Sequence, residues 1–214
     1  LPDAPSGYNN TFTHSAGSAT SIYTGTNTGS SPETLILVNK QRMDQAYGTT
    51  ATANLTPTLH TLADDVDVRG VVVPVENTAT VANAYNLWDT DNAANPQYAN
   101  LVADAIKQHV VLPYFNSHSS SLKYIVIVGD DLMIPFYRVP DDAFIANESV
   151  YASRSAVNPN NPTHAALDLG YIPTDDFYAD FSVLHWRARE LFAPDLAIGR
   201  LVESPAEIQT MVQA

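Results

Sequence analysis

The chain contains no cysteine among its 214 residues. This absence excludes disulfide bonds, thiolate metal sites and a cysteine nucleophile within these residues. The chain also lacks a run of roughly eighteen apolar residues, so we expect no membrane-spanning helix. Its first residues show neither a basic stretch nor an apolar core, so no signal peptide is visible.

Positive charge is scarce. Ten Lys and Arg residues stand against 23 Asp and Glu residues, which gives a net charge of −13, and the only lysines are Lys40, Lys107 and Lys123. Such a chain repels phosphate backbones, so we do not expect nucleic-acid binding. An acidic surface favours cationic partners or metal ions, or simply keeps the protein soluble. Abundant Thr, Asn, Ser and Ala with few Lys is typical of secreted or other extracytoplasmic bacterial proteins, and we predict that location.

Composition divides the chain into two parts. Residues 1–33 are rich in Ser, Thr, Gly, Asn and Pro, which predicts a linker or an extended N-terminal arm with at most one edge strand. Residues 34–214 predict an α/β domain. Because the last helix is well capped and the chain stops within it, we expect this domain to be a fragment of a larger unit.

Apolar runs predict four strands, at 35–38, 68–75, 124–128 and 196–198. Residues 41–65 are expected to contain helical material, best from Pro57 to Asp65 with Thr56 as cap and Pro57 first. Further helices are expected at 96–115 and from Pro205 onward behind the Ser204–Glu207 capping box. We predict a polar loop over 76–95 and a loop insertion near 136–173, with an exposed turn at 158–162. Strands alternating with helices indicate a mostly parallel sheet flanked by helices, in a flavodoxin-like strand order.

Two acidic residues follow the third predicted strand. In open parallel sheets, ligands bind beyond the carboxyl ends of the strands, and this strand delivers Gly129, Asp130 and Asp131 there. These carboxylates could orient an imidazole, bind a cation or hold a loop. The alternative is that Asp130 and Asp131 accept hydrogen bonds from backbone amides of the turn itself.

The segment Thr174–Asp180 holds three carboxylates and two aromatic side chains. A carboxylate at the base of a cleft would select a cationic guest, and a guanidinium fits it best. The alternative is a turn that leads into a helix N-terminus, where Asp is favoured. Arg200 follows Ile198 and Gly199, and we predict that it forms a structural ion pair with a carboxylate on a neighbouring loop.

Histidines and acids elsewhere suggest no complete catalytic set. None of the six histidines belongs to an H-E-x-x-H motif or accompanies a G-x-S-x-G motif, and His109 is expected to pack within its helix. Asp64, Asp65 and Asp67 do not match a calcium loop, so a solvated turn is the expected structure. No residue is predicted to bind a metal.

Taken together, four motifs resemble the gingipain-like cysteine peptidases, which have a caspase-type α/β fold. The strand ends in Gly129–Asp130 and is followed by Ile134–Pro135. After an insertion come Thr174–Asp-x-x-Tyr178, then Ile198–Gly–Arg200, then a helix opened by Ser204 with Glu207 three residues on. The resemblance is good over residues 120–214, and over 33–119 it rests on the pattern of strands and helices.

The resemblance implies a peptidase that cuts protein or peptide substrates with a Cys nucleophile and a His base. This dyad belongs to the second half of the catalytic unit. The resemblance therefore implies that residues 34–214 are the N-terminal subdomain of that larger catalytic unit, and no catalytic residue is carried over here. The resemblance implies Asp175 as a cation-binding residue of the substrate cleft, and we also place Asp130 and Tyr178 among the substrate-binding residues. No cofactor is expected, although calcium occurs in the family.

Two other functions stay open. A relative that has lost the dyad would serve as a binding or scaffolding module of a secreted multidomain protein, since fold does not fix function. A flavodoxin-like response module would explain acids after a strand, but it leaves the Thr174–Tyr178 and Ile198–Arg200 motifs without a role. The sequence that follows residue 214 distinguishes the peptidase from the relative that has lost the dyad. A strand ending in His-Gly and a later Cys would support the peptidase, and their absence would exclude it.

Overall fold

The structure is a computed structural model that describes Phe12 and residues 21–29, 31–91, 93–153, 161–186, 189–202 and 204–214. Most of the predicted N-terminal arm, and residues 158–160 of the predicted exposed turn, lie outside these ranges. Within the described part of the chain, no helix is long and apolar enough to span a bilayer.

A five-stranded sheet forms the centre of the molecule. Its strands are β1 (Tyr23–Thr24), β2 (Thr34–Val38), β3 (Gly70–Pro74), β4 (Tyr124–Val128) and β9 (Ala197–Leu201), arranged in the order β1-β3-β2-β4-β9. All neighbours are parallel except β1, which pairs antiparallel with β3 at the edge. The four parallel strands thus follow the two-one-three-four order of flavodoxin-like folds, as predicted.

Helices cover both faces of this sheet, which is why its strands are apolar on both sides. On one face, Leu35 and Leu37 pack against α3 (Ala79–Asp91) and α4 (Pro96–Ile106). On the other, Ile36 and Val38 pack against α1 (Lys40–Tyr47), α2 (Thr49–Asp64) and α9 (Pro205–Gln213). All five residues of β2 and all five of β3 are buried. Because successive side chains of a strand point to opposite faces, each central strand contributes side chains to the hydrophobic cores on both faces of the sheet.

Smaller elements complete the chain. A 3₁₀ turn spans Val75–Asn77, and a π turn at Lys107–Val111 joins α4 to α5 (Leu112–His118). Beyond β4 come β5 (Tyr137–Pro140), α6 (Ser149–Ala152), α7 (Pro162–Asp168), β6 (Tyr171–Thr174), α8 (Asp176–Ala179), β7 (Leu184–Trp186) and β8 (Arg189–Leu191). Strands β5 and β6 form one antiparallel pair, and β7 and β8 form another.

Two predictions about helices were wrong. Helical structure within 41–65 is confirmed by α1 and α2, but the cap was misplaced. Helix α2 begins at Thr49 rather than behind Thr56, and Pro57 lies inside it, because the buried stripe of Thr52, Leu55 and Leu59 continues past the proline. The predicted polar loop 76–95 is mostly helix α3. Its Trp88 is fully buried, with the indole N–H donating to the Ala93 carbonyl at 3.0 Å. Burial of this one large ring outweighs the polar composition around it.

Three further predictions need correction. The loop insertion near 136–173 contains β5, α6, α7 and β6, and cross-strand pairing of Tyr137 with Thr174 joins its ends. The fourth strand runs to Leu201, because pairing with β4 continues through Gly199 and Arg200. His109 is exposed rather than packed, since it lies in the π turn, where the helical repeat shifts.

Candidate functional site at the carboxyl edge of the sheet

The carboxyl ends of the parallel strands present a polar edge. Asn39 follows β2, Glu76 follows β3, and Gly129 with Asp130 follows β4, as expected from the sequence. The strand order reverses between β2 and β4, which is the switch point where open α/β sheets bind ligands. This edge is therefore the candidate site.

Gly129 makes the first turn of this edge possible. Its φ of +102° is a conformation that side chains with a Cβ rarely adopt, and a Cβ here would lie 2.6 Å from Met133 Cβ. The Oδ1 atom of Asp130 then accepts hydrogen bonds from the backbone N–H groups of Leu132 (2.9 Å) and Met133 (3.2 Å). Burial, followed by repulsion from Asp131, raises the pKa of Asp130. The turn-holding alternative for Asp130 is thus what the geometry shows.

Asp131 ties the segment after β4 to the insertion. Its carboxylate forms a buried ion pair with Arg138 of β5, with Nη2 and Oδ2 2.6 Å apart. The hydroxyl of Thr163 in α7 donates to the same oxygen at 2.8 Å. The backbone N–H of Phe136 donates to Oδ1 at 2.8 Å. One buried carboxylate therefore joins three segments.

Arg200 and Asp175 form a bidentate ion pair. Nη2 lies 2.5 Å from Oδ1, and Nε lies 2.9 Å from Oδ2. The remaining terminal nitrogen of Arg200 donates to the carbonyls of Gly129, Asp130 and Ile134 at 2.8–3.1 Å. Burial alone would lower the pKa of this guanidinium, but hydrogen bonding to Asp175 and attraction to its charge help to raise that pKa above its usual value. The predicted structural ion pair of Arg200 is confirmed, and it fixes the turn behind β4.

Tyr178 points into the core of the same region. Its side chain is fully buried, and its hydroxyl donates to the Pro135 carbonyl at 2.6 Å. Burial keeps the pKa of this phenol well above its usual range. The adjoining Phe177 stacks on Tyr137 with ring centroids 3.9 Å apart. Helix α8 is thereby anchored beneath the edge and holds Asp175 in reach of Arg200.

Each of the three predicted substrate-binding residues has a partner within the chain. Asp130 holds its own turn, Asp175 holds Arg200, and Tyr178 holds the Pro135 carbonyl. Asp130 and Asp175 lie at the same edge because Arg200 contacts both. Contact of any of the three with a substrate stays a prediction.

Several buried charged groups at this edge were not predicted. Arg42 of α1 pairs with Asp89 of α3 at 2.6 Å, with both side chains at most 3% exposed. Glu76 accepts a hydrogen bond from the backbone N–H of Gln41 at 3.0 Å, and burial raises its pKa. The burial of these groups could not be predicted from neighbouring residues, because their partners lie 35 and 47 residues away in sequence.

Within the described residues, no group of three or more His, Cys, Asp or Glu side chains is arranged to hold a metal ion. A calcium ion therefore stays a prediction without assigned ligands. The described edge can bind and orient a ligand. The groups it offers are fixed carbonyls, one buried guanidinium and partly buried carboxylates.

The strand order and the polar edge define an α/β domain of the class that binds ligands at the carboxyl ends of its strands. A family model described as Peptidase family C25 matches residues 21–214. The chain belongs to this family, the gingipain family, and the predicted resemblance is confirmed. Searches of curated proteins and of solved structures found no match.

Proposed function

We propose that this chain is the N-terminal part of a gingipain-like cysteine peptidase and forms one wall of the substrate cleft. The observation that carries the proposal is the family match over residues 21–214. Because the chain contains no cysteine, the thiolate and its histidine would come from a C-terminal half of the same protein. The substrates are then proteins or peptides. An extracytoplasmic location is part of the same proposal and is supported by the composition.

The free edge of β9 supports docking of that second half. Ala197 N–H donates to the Lys123 carbonyl at 3.0 Å, and Gly129 N–H donates to the Leu201 carbonyl at 2.7 Å. Alternate residues of a parallel strand bond the same neighbour, so the backbone groups of Ile198 and Arg200 face away from β4. No strand within the described ranges pairs with that side. A further parallel strand added there would end beside Arg200 and the Gly129 turn.

Expression of the longer gene product tests this proposal. We expect this chain alone to be inactive on fluorogenic peptides, and the longer protein to cleave them with an activity that Cys→Ala in its second half abolishes. The matched control keeps the whole longer protein and changes a cysteine outside the predicted dyad. A longer protein without Cys and His, or one whose activity survives the Cys change, would overturn the peptidase proposal.

The cleft role of Asp175 needs a readout of selectivity. If Asp175 lies in the primary specificity pocket, Asp175→Asn lowers kcat/KM more for substrates with Arg before the scissile bond than for those with Leu. The matched control is Arg200→Met, which breaks the same ion pair. If the pair is only structural, this change should lower kcat/KM by the same factor for both substrates. Equal losses in both variants on both substrates would leave Asp175 a structural residue.

The absence of cysteine also fits a second function, a non-catalytic binding or scaffolding module. In that case, the longer protein lacks the dyad but still folds with this sheet, and it binds peptides without cleaving them. Mass spectrometry of a peptide mixture incubated with the longer protein separates the two functions, because only the peptidase produces new termini.

A further inference from the structure

The β7–β8 hairpin exposes an apolar face. Cross-strand pairs put Leu184 opposite Leu191 and Trp186 opposite Arg189. Paired residues, and residues two apart along a strand, share one face, so these four side chains lie together. Leu184, Trp186 and Leu191 are 57%, 60% and 47% exposed. All six described hairpin residues are exposed, although an isolated two-stranded hairpin is only marginally stable in water.

A neighbouring loop adds two more exposed apolar side chains. Arg189 is paired with Asp142, with Nε and Oδ2 2.8 Å apart, and so links the hairpin to the loop 141–148. Phe144 and Ile145 at the tip of that loop are 106% and 88% exposed. We call Phe144, Ile145, Leu184, Trp186 and Leu191 together the hairpin surface.

Hydrogen bonds hold the loop in this shape. The carboxylate of Asp141 accepts from the backbone N–H of Ala143 at 2.8 Å and from that of Glu148 at 2.6 Å. The side-chain amide of Asn147 donates to the Asp141 carbonyl at 3.3 Å. This loop, held by its own hydrogen bonds, presents Phe144 to solvent, and exposed apolar patches are the features that mark interaction sites.

Charge decides the kind of partner. The loop carries Asp141, Asp142 and Glu148, of which Asp142 is paired with Arg189, while Glu190 lies with His185 on the opposite face of the hairpin. With a net charge of −13, the chain repels a second copy of itself and an anionic lipid surface. A polypeptide segment with apolar side chains flanked by Lys or Arg matches both the apolar face and the acids of the adjoining loop.

We propose that the hairpin surface is a docking site for such a cationic, apolar segment of protein substrates, separate from the carboxyl edge of the sheet. This inference rests on the proposed peptidase function for the identity of the occupant. Docking there would hold a protein substrate while its scissile segment lies at the carboxyl edge, and so would favour cationic proteins over short peptides.

Tryptophan fluorescence offers a direct test on the chain as it stands. The chain has two tryptophans, and Trp88 is fully buried while Trp186 is 60% exposed, so iodide quenching reports on Trp186. The probe is a short labelled peptide of Leu, Phe and Lys. We expect it to bind, to protect Trp186 from iodide, and to bind more weakly at high salt. Matched peptides with Glu for Lys, or Ser for Leu and Phe, should not bind.

Variants locate the binding. The double change Phe144→Ser and Ile145→Ser should weaken binding by about tenfold or more without lowering the melting temperature, since both side chains are exposed. Val66→Ser, at a residue 67% exposed outside the hairpin surface, is the control and should bind normally. Equal binding by the double variant, or tight binding of the Glu peptide, would overturn the inference.

Other occupants give distinct results. If Trp186 becomes protected as the protein concentration rises without peptide, and sedimentation velocity shows a dimer, the occupant is a second copy of the chain and not a substrate segment. Co-sedimentation with vesicles of phosphatidylcholine and phosphatidylglycerol would replace it by a lipid surface. Peptide binding needs no catalysis. A longer protein without peptidase activity would therefore reject the proposed function, whereas the peptide-binding measurement would still test the docking site.

Discussion

At the scale of single residues, Arg200 organises the candidate site. One guanidinium holds the Asp175 carboxylate and three carbonyls of the turn after β4, and it lies 4.0 Å from the centre of the Phe136 ring. Its side chain is 7% exposed and that of Asp175 is 15% exposed. A pair this well bonded rigidifies the edge, whereas either partner left alone would be a poorly solvated charge.

Arg200→Met should therefore lower the free energy of unfolding by about 3–5 kcal/mol, because it leaves Asp175 without its partner and removes one hydrogen bond from each of three carbonyls. Urea denaturation measures the loss. Arg189→Met is the matched control, since its pair with Asp142 is 49% and 62% exposed, and it should cost less than about 1 kcal/mol. A loss below that of the control would contradict the central position of Arg200.

Gly129 allows a second prediction at this scale. Gly129→Ala combines an unfavourable φ of +102° with a clash against Met133 and should destabilise the protein by about 3 kcal/mol. Gly170 has a φ of +74° but open space around it, so Gly170→Ala should cost about 1 kcal/mol. Gly199→Ala has neither problem and should be close to neutral. Thermal melts rank the three variants, and any other order would contradict this account.

At the scale of secondary-structure elements, prolines explain where two helices depart from expectation. Pro57 lies inside α2, where it removes a hydrogen bond and crowds the preceding turn. Pro113 follows the π turn at Lys107–Val111, and such widening accommodates a residue that cannot donate its N–H. Helix α2 does not end at its proline, because it buries Leu55 before Pro57 and Leu59 after it.

Pro57→Ala should stabilise the protein by about 2 kcal/mol, because Pro57 is exposed and alanine restores the missing hydrogen bond. Denaturant midpoints measure the gain. Pro205→Ala is the control, since Pro205 occupies the first turn of α9, where no intrahelical bond is lost, and it should bring no gain. An unchanged or lower midpoint for Pro57→Ala would show that α2 has adapted its packing to the proline.

At the scale of the whole molecule, strong negative charge coexists with the hairpin surface. The charge keeps molecules apart at neutral pH, and the sequence pI is about 4.5. Helices shield both faces of the central strands β2 and β3, while β9 and the hairpin surface stay exposed in the described part of the chain.

We therefore expect a solubility minimum near pH 4.5, where repulsion vanishes and the hairpin surface can associate. The double variant Phe144→Ser and Ile145→Ser should remain soluble there at higher concentration, and Val66→Ser should behave like the native protein. Turbidity measured against pH checks this. Identical curves for all three proteins would mean that the hairpin surface does not drive the association.

Much of the fold follows from local features of the sequence. Apolar runs bounded by Gly, Pro and Asn define the parallel strands, and Asn95 with Pro96 caps α4, with the Asn95 side chain accepting from the Gln97 N–H at 3.0 Å. The capping box of Ser204 and Glu207 forms as predicted. These features depend on contacts between neighbours in sequence, so periodicity and capping suffice to predict them.

The candidate site was predicted only in outline. The sequence indicated the carboxyl edge after β4 and an ion pair for Arg200. It could not identify Asp175 as the partner, because that carboxylate is 25 residues away and meets Arg200 only once α8 packs beneath β9. Helix α3, with Trp88 buried and Asp89 paired to Arg42, was missed for the same reason.

The sequence by itself determined the α/β class, the parallel strands, the strong negative charge and the family, because composition, periodicity and short motifs carry these properties. The tertiary structure decided which charges are buried, which acids are paired and which apolar side chains stay exposed. These outcomes depend on contacts between distant segments, whose desolvation and hydrogen bonding are set only when the sheet and its helices assemble.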